Sequence, residues 1–162
     1  MRSVKISIQQ DDFNIQDECL ALREGHQDIG ALATFIGLVR DIDDAENQSG
    51  KVKTLTLEHY PGMTEKSLQK IAEEADRRWS ILDVCIIHRI GTLAAAEQIV
   101  FVAVSSLHRQ DAFSACAYIM DFLKTSAPFW KKSSTENGEY WVEARDSDTR
   151  AAENWAEAHE KR

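Results

Sequence analysis

The sequence predicts an α+β fold in a single domain covering residues 1–162. In several short segments apolar and polar residues alternate, as in half-buried strands. In other segments apolar residues recur every three to four positions, as on the buried face of a helix. The order of these segments shows no regular strand–helix–strand repeat, which favours an α+β domain over a doubly wound one. The chain has 162 residues and is 43% hydrophobic, enough for one compact core.

The first half of the chain contains both patterns. The stretch 29–40, IGALATFIGLVR, is rich in β-branched and small apolar residues, which predicts a long buried strand in which Gly37 allows either a bulge or a close backbone approach. Pro61-Gly62 predicts a turn. In order, the predicted elements are a strand at 4–8, a helix at 15–24 ended by Gly25, the strand at 29–40, a mobile acidic surface loop at 41–50 and a strand at 52–60.

The second half opens with Thr64, which is predicted to be the N-cap of a helix that continues to Trp79. A later helix at 108–124 is expected to bury one apolar stripe, formed by Phe113, Cys116, Ala117, Met120 and Leu123. The remaining predicted elements are strands at 82–90 and 98–106 separated by a turn region at 91–97, a polar loop at 133–139, a strand at 140–142, a helix capped by Asp148 and a frayed tail at 156–162.

The charge distribution indicates a specific anion pocket. The chain has a formal net charge of −8 and an isoelectric point near 5.1, so a phosphate-backbone surface for nucleic acid is disfavoured. Nevertheless the segment 122–134 contains Lys124, Lys131 and Lys132 and no acidic residue. A basic pocket on an acidic protein favours a small anion over polyanions in general.

Cysteine and histidine usage predicts no metal or cofactor. Cys19, Cys85 and Cys116 are far apart and lie in apolar surroundings, which indicates buried free thiols. His59 and His88 fall inside strand patterns and are expected to be structural.

No apolar run is long enough to span a bilayer, and the N-terminus lacks the apolar core of a secretory signal, so a cytoplasmic location is expected.

Separate basic positions could build the pocket. Lys124 lies at a predicted helix C-terminus, where it either complements the helix dipole or is held in a cleft to orient an anion or act as a nucleophile. Lys131 either extends over Phe129 and Trp130 or forms a second positive wall. His108-Arg109 stands at a helix start, where backbone N–H groups favour anions, but could equally be a capping or surface pair.

Several segments together resemble the MoaE family, the large, catalytic subunits of molybdopterin synthase. The resemblance extends over nearly the whole chain, and LEHYPGMTEK and IMDFLKTSAPFWK are its most specific parts. The matching segments are GALATFIGLVR (30–40), LTLEHYPGMTEKSL (55–68), VCIIHRIGTL (84–93), IVFVAVSSLHR (99–109), AFSACAYIMDFLKTSAPFWKK (112–132) and WVEARDSD (141–148).

The resemblance implies a reaction and its partners. The family converts cyclic pyranopterin monophosphate into molybdopterin by installing a dithiolene. The sulfur comes from a small ubiquitin-like subunit whose C-terminal Gly-Gly ends in a thiocarboxylate. The large subunit dimerises and binds one small subunit on each side, giving a heterotetramer. The implied fold is an α/β-hammerhead-type domain with an additional antiparallel sheet. Molybdenum is inserted in later steps, so no metal or other cofactor is expected.

The resemblance also assigns roles to residues. Lys124 matches the family's essential lysine, beside which the partner's tail inserts, and Lys131 matches the second pocket lysine. Other matching positions are expected to bind the substrate: Arg40 with the backbone of Leu38 and Val39, the phosphate-side pair His108 and Arg109, supplied by the other monomer, and Lys132, Ser133 and Arg145. Ser133 departs from many relatives, which have an acidic residue there, so a contribution through its backbone or hydroxyl is the weakest of these expectations.

The chemistry leaves alternatives open. Lys124 either positions and polarises the thiocarboxylate or forms a transient covalent link with the partner's C-terminus. The pocket could instead serve phosphoester or acyl chemistry on another anionic metabolite, which would need no thiocarboxylated protein. A domain that only holds a ubiquitin-like tail would bind the partner without producing a chemical product.

Overall fold

The structure is a computed structural model that describes residues 1–41, 52–135, 137–142 and 146–160. The side chains of 146 and 156–160 lie outside the description. The elements are β1 (Ser3–Gln9), α1 (Ile15–Arg23), β2 (Ala31–Leu38), β3 (Val52–His59), α2 (Met63–Arg78), β4 (Ile81–Arg89), β5 (Gly91–Ala94), β6 (Gln98–Ser106), α3 (Arg109–Ser126), β7 (Phe129–Thr135), β8 (Gly138–Val142) and α4 (Asp146–Glu160). Mixed helices and strands confirm the predicted α+β class.

The eight strands of the described chain form two four-stranded sheets. The first has the order β1-β4-β6-β2, with β1 parallel to β4 and the other neighbours antiparallel. The second has the order β5-β3-β7-β8 and is antiparallel throughout. The predicted bulge is confirmed, because the register of β2 on β6 shifts between Gly37 and Leu38.

Both faces of the first sheet are covered, because side chains on its central strands alternate between two hydrophobic clusters. On one face, Val84, Ile86 and Val102 pack against α2 and α3. On the other, Cys85 and Phe101 pack with residues of α1 and the segment before it. α2 contributes fully buried Leu68, whose burial stabilises the fold by about 2 kcal/mol. The other buried apolar residues of this helix are Ile71, Ala72 and Ala75.

Two elements begin where the sequence pattern did not place them. Gly62, not Thr64, occupies the N-cap of α2, with a φ of 79° that favours glycine, and its N–H donates to Glu65 Oε2 at 2.6 Å. The Thr64 side chain is instead buried, with its hydroxyl 3.2 Å from the carbonyl oxygen of Pro128. α4 begins at Asp146, so Asp148 lies inside the helix rather than at its cap.

Other predicted boundaries are corrected by strand pairing. The expected polar loop at 133–139 is mostly strand, because β7 pairs with β3 on one side and forms a hairpin with β8 on the other. The region 91–97 contains the short strand β5, which also pairs with β3. Residues 42–51 lie outside the described part of the chain, as does most of the predicted acidic loop. Helix α4 continues to Glu160, and residues 161–162 are not described.

Two predictions of burial are wrong in part. β2 is an edge strand with one partner, and Phe35 is 39% exposed, so the predicted long buried strand at 29–40 is shorter and more open. On α3, Cys116, Met120 and Leu123 are buried as predicted, but Phe113 and Ala117 are exposed. Ala115 and Ile119 are fully buried instead, because small alanines allow the helix to approach the sheet closely. The buried face therefore overlaps the predicted stripe and extends to one side of it.

Candidate active site at one end of the first sheet

Lys124 lies in the last turn of α3 with an accessible ammonium group. Its side chain is 44% exposed, and Nζ is 3.4 Å from Asp148 Oδ1 on α4. A cation at this position complements the helix dipole. The same contact with α4 restrains the lysine without removing it from solvent. The ammonium group of Lys124 is therefore accessible from solvent, while the carboxylate of Asp148 restrains its direction.

Lys131 and Lys132 point to opposite faces of the second sheet, because they are successive residues of β7. Lys131 shares its face with Phe129, whose ring stacks on His88 at 3.9 Å, and its charge contributes to lowering the pKa of that histidine. Lys132 forms an ion pair with Glu139 on the other face. The structure therefore does not bring the two lysines into one pocket.

Ser133 follows on the same face as Lys131. It is only 1% exposed, and its backbone lies between Leu55 of β3 and Tyr140 of β8. A side chain so enclosed offers little surface to a substrate. Its expected contribution to binding stays a prediction.

Arg40 lies two residues after the end of β2, in a stretch of backbone held by hydrogen bonds. Leu38 is 54% exposed and Val39 only 5%. The N–H of Val39 donates to Glu97 O at 2.9 Å, and its carbonyl accepts from Ala96 N at 2.8 Å. Arg40 itself is exposed, and one residue later Asp41 O accepts from Val52 N at 2.8 Å. The backbone that carries Arg40 is thus fixed on both sides.

Lys124, Lys131 and Arg40 come to the same end of the first sheet. α3 follows β6 after a short connection and packs back across β6 and β2, so its C-terminal end returns to where β2 ends. The positive charge of Lys131 helps to lower the pKa of His88, and this histidine lies near the end of β4 at that same edge. The topology therefore places three of the predicted basic positions at this end of the sheet. Arg145 lies outside the described residues.

His108 and Arg109 lie at the opposite end of α3. Arg109 is fifteen residues before Lys124, which corresponds to about 22 Å along the helix axis at 1.5 Å per residue. Both are exposed beside an open groove of about 690 Å³ at the helix N-terminus. Gly30 lies against this turn so closely that a Cβ there would come within 2.2 Å of Leu107 O. Within one chain, this pair cannot join the lysine site.

The thiols of this chain are poor nucleophiles. Burial raises the pKa of Cys85 to about 12 and that of Cys116 to about 11, and it also raises the pKa of half-buried Cys19. Thiolates, not thiols, attack electrophiles. The prediction of buried free thiols is confirmed for Cys85 and Cys116, and any sulfur chemistry at this site would need another source of sulfur.

His88 and His59 are integrated into the structure near Lys131. His88 is 3% exposed, its Nδ1 is 2.8 Å from Arg89 O, and burial lowers its pKa to about 4. His59 is close to Glu65, with 3.7 Å between Nε2 and Oε1. A structural role for both histidines is therefore supported. The sequence pattern did not reveal that buried His88 lies close to Lys131.

The described residues contain neither a metal-binding cluster nor a membrane-spanning helix. No group of three or more histidine, cysteine, aspartate or glutamate side chains there could hold a metal ion. In the same part of the chain, none of the helices combines the length and apolarity needed to cross a membrane.

Comparison with known proteins places these observations in a family. The model of the MoaE protein family matches residues 8–126. A curated relative, the molybdopterin synthase catalytic subunit of Ralstonia nicotianae, is 51% identical over 150 residues, covering 93% of this chain and 83% of the relative.

Solved structures agree with the sequence comparison. The molybdopterin biosynthesis MoaE protein of Burkholderia ambifaria is 52% identical, with a TM-score of 0.79 and coverage of 94% of this chain and 98% of that one. The molybdopterin synthase of Staphylococcus aureus is 32% identical, with a TM-score of 0.74 and coverage of 85% and 96%. By sequence and by fold over most of its length, this chain belongs to the MoaE family.

Proposed function

We propose that this chain is the catalytic subunit of a molybdopterin synthase. It transfers sulfur from the C-terminal thiocarboxylate of a small ubiquitin-like subunit to cyclic pyranopterin monophosphate, and so forms the dithiolene of molybdopterin. The observation that carries the proposal is that the elements bearing Lys124, Lys131 and Arg40 end at the same edge of the first sheet in a chain of the MoaE family.

The charges suit the reactants. The substrate carries a cyclic phosphate and the sulfur donor is an anionic thiocarboxylate, and two anions repel each other unless the site supplies positive charge. Fixed positive groups in a partly enclosed site stabilise charge that develops during the reaction, because they need little reorganisation. Lys124 on α3, Lys131 on β7 and Arg40 in the hydrogen-bonded backbone after β2 meet this requirement.

Each basic residue has a distinct role in the proposal. Lys124, exposed and directed by Asp148, positions and polarises the thiocarboxylate or forms a transient covalent link with the partner's C-terminus. Lys131 forms the second positive wall, and Arg40, with the backbone of Leu38 and Val39, holds the substrate. The sulfur arrives on the partner, so the buried thiols of this chain take no part and no resident cofactor is needed.

The site is completed by a second copy of the chain. His108 and Arg109 are about 22 Å from Lys124 along α3, too far to act on the same substrate from one chain. In a twofold dimer, the groove at the start of α3 in one copy can face the lysine site of the other. One small subunit bound to each copy gives a heterotetramer. A cytoplasmic location is part of this proposal.

Reconstitution tests the proposal directly. The purified chain is mixed with a thiocarboxylated ubiquitin-like partner and cyclic pyranopterin monophosphate, and the dithiolene product is measured as its oxidised fluorescent derivative. Product that depends on the thiocarboxylate and is lost in Lys124→Ala, but not in the control Lys66→Ala on the exposed face of α2, would support it.

Two results would contradict the proposal. Near-normal turnover by a Lys124→Ala chain that still dimerises would remove the assigned role of this lysine. No product from a folded chain that binds its partner would favour a module that only holds the tail, or a different anionic substrate.

A further inference from the structure

Arg89, the last residue of β4, is buried at the same end of the first sheet as the proposed active site. The residue is 7% exposed, and its guanidinium contacts three residues closely and also lies 3.7 Å from Asp12 Oδ1. Nε donates to Gln10 O at 3.1 Å, Nη1 donates to Gln98 O at 2.9 Å, and Nη1 lies 3.4 Å from Glu97 Oε1. A buried charge with planar, directional donors fixes the groups around it.

Glu97 joins this arginine to the turn between β5 and β6. While Oε1 faces Arg89, Oε2 accepts a hydrogen bond from Ala94 N at 2.5 Å and so closes the turn. Within the turn Ala96 has a φ of 69°, a conformation that residues other than glycine adopt rarely. The turn is therefore held in its shape by the carboxylate between Arg89 and Ala94.

The outer side of this turn holds the stretch that precedes Arg40. Two backbone hydrogen bonds join Val39 to Glu97 and Ala96, at 2.9 and 2.8 Å. Val39 is 5% exposed, whereas Arg40 beside it is exposed. A continuous path of contacts thus runs from the buried guanidinium through the carboxylate and the turn to the backbone of the exposed arginine.

We propose that Arg89 and Glu97 are positioning residues for the 38–40 stretch, acting on the anionic substrate through the backbone that carries Arg40. The inference rests on the proposed function, in which Arg40 binds the substrate. Neither Arg89 nor Glu97 touches the substrate. Together they set the position of the backbone that carries Arg40, so their loss should weaken a contact that binds the substrate equally in the ground state and in the transition state.

Steady-state kinetics of the reconstituted complex test this. In Glu97→Ala we expect KM for cyclic pyranopterin monophosphate to rise about tenfold, while kcat changes less than about twofold, because binding geometry and not the reacting groups is altered. Glu97→Gln keeps an acceptor for Ala94 N–H, so its KM should lie closer to that of the unchanged chain. Should the alanine variant not fold, Glu97→Asp keeps the charge but shortens the reach, and a rise in KM is again expected.

A double variant separates positioning from general destabilisation. If Glu97 acts through Arg40, Arg40→Ala and Arg40→Ala/Glu97→Ala should have the same KM, because residues in one chain of interaction are not additive. Glu18→Ala is the matched control. The Glu18 carboxylate of α1 pairs with Lys5 of β1, on the face of the first sheet that α1 covers. Its loss should lower stability without changing KM.

Hydrogen exchange gives a readout that does not depend on turnover. The amide of Val39 should exchange faster in Glu97→Ala and Glu97→Asp than in the Glu18→Ala control. Unchanged protection at Val39, additive KM effects, or a fall in Tm with no change in KM would overturn the positioning role. If Arg40→Ala leaves KM unchanged while Val39 loses protection in the Glu97 variants, the assigned role of Arg40 fails and the structural link stands.

Discussion

Two inactive variants of this chain should restore activity to each other. The reasoning depends on α3: Arg109 begins the helix, Lys124 lies in its last turn, and about 22 Å of helix separates them. If both residues act on one substrate, they must come from different copies in a dimer. Lys124→Ala and Arg109→Ala should each lower turnover about 100-fold when alone, as loss of a group that stabilises transition-state charge does.

In a mixed dimer the defects separate. One site then receives both substitutions, and the other receives neither, so each hybrid dimer has one intact site. Random pairing of equal amounts makes half of all dimers hybrids, and about one quarter of all sites should be intact. The mixture should therefore recover about one quarter of the activity of the unchanged protein. Coexpression with two affinity tags isolates the hybrids, which should recover about one half.

A second pairing provides the control. Lys124→Ala and Lys131→Ala lie on the same side of the proposed site, so in their hybrids each site retains one defect and activity should not return. Hybrids of Lys124→Ala and Arg109→Ala that form normally yet stay inactive would refute the two-chain site. Full activity of Arg109→Ala alone would show that this arginine is not needed.

Three further predictions concern separate features of the molecule. Lys131→Ala should lower kcat/KM about 100-fold, whereas Lys132→Ala, on the other face of β7 and paired with Glu139, should change it less than about twofold; equal losses would contradict this division. Burial lowers the pKa of His88 from 6.5 to about 4, so in this window the unfolded chain takes up a proton that the folded chain does not. The free energy of unfolding should therefore fall by about 3 kcal/mol as pH decreases from 6.5 to 4, and His88→Gln should lack this component in denaturant titrations at each pH. A Cys85→Ala/Cys116→Ala chain should turn over normally because both thiols have raised pKa values, and a folded variant without turnover would show that a thiol takes part.

Local pattern was sufficient for most elements of this fold. Alternation placed β3 and β6 to within one residue, because strands with one buried face repeat every two residues. Periodicity placed α2 and α3 because each buries one side. The predicted polar loop at 133–139 was wrong for a physical reason. Ser133, Ser134 and Thr135 belong to a strand only because β3 and β8 supply backbone partners, and such pairing is not encoded in local sequence.

By itself, the sequence determined which basic residues this protein has and at which ends of elements they stand: Lys124 at a helix end, Lys131 beside two aromatics, Arg40 after a strand. Only the tertiary structure decided which of these residues lie at the same end of the first sheet. The return of α3 across β6 brings Lys124 to the end where Arg40 lies, while the length of the same helix carries Arg109 away. The pleat of β7 separates Lys131 from Lys132. These are consequences of chain direction and element length in three dimensions, which no local pattern contains.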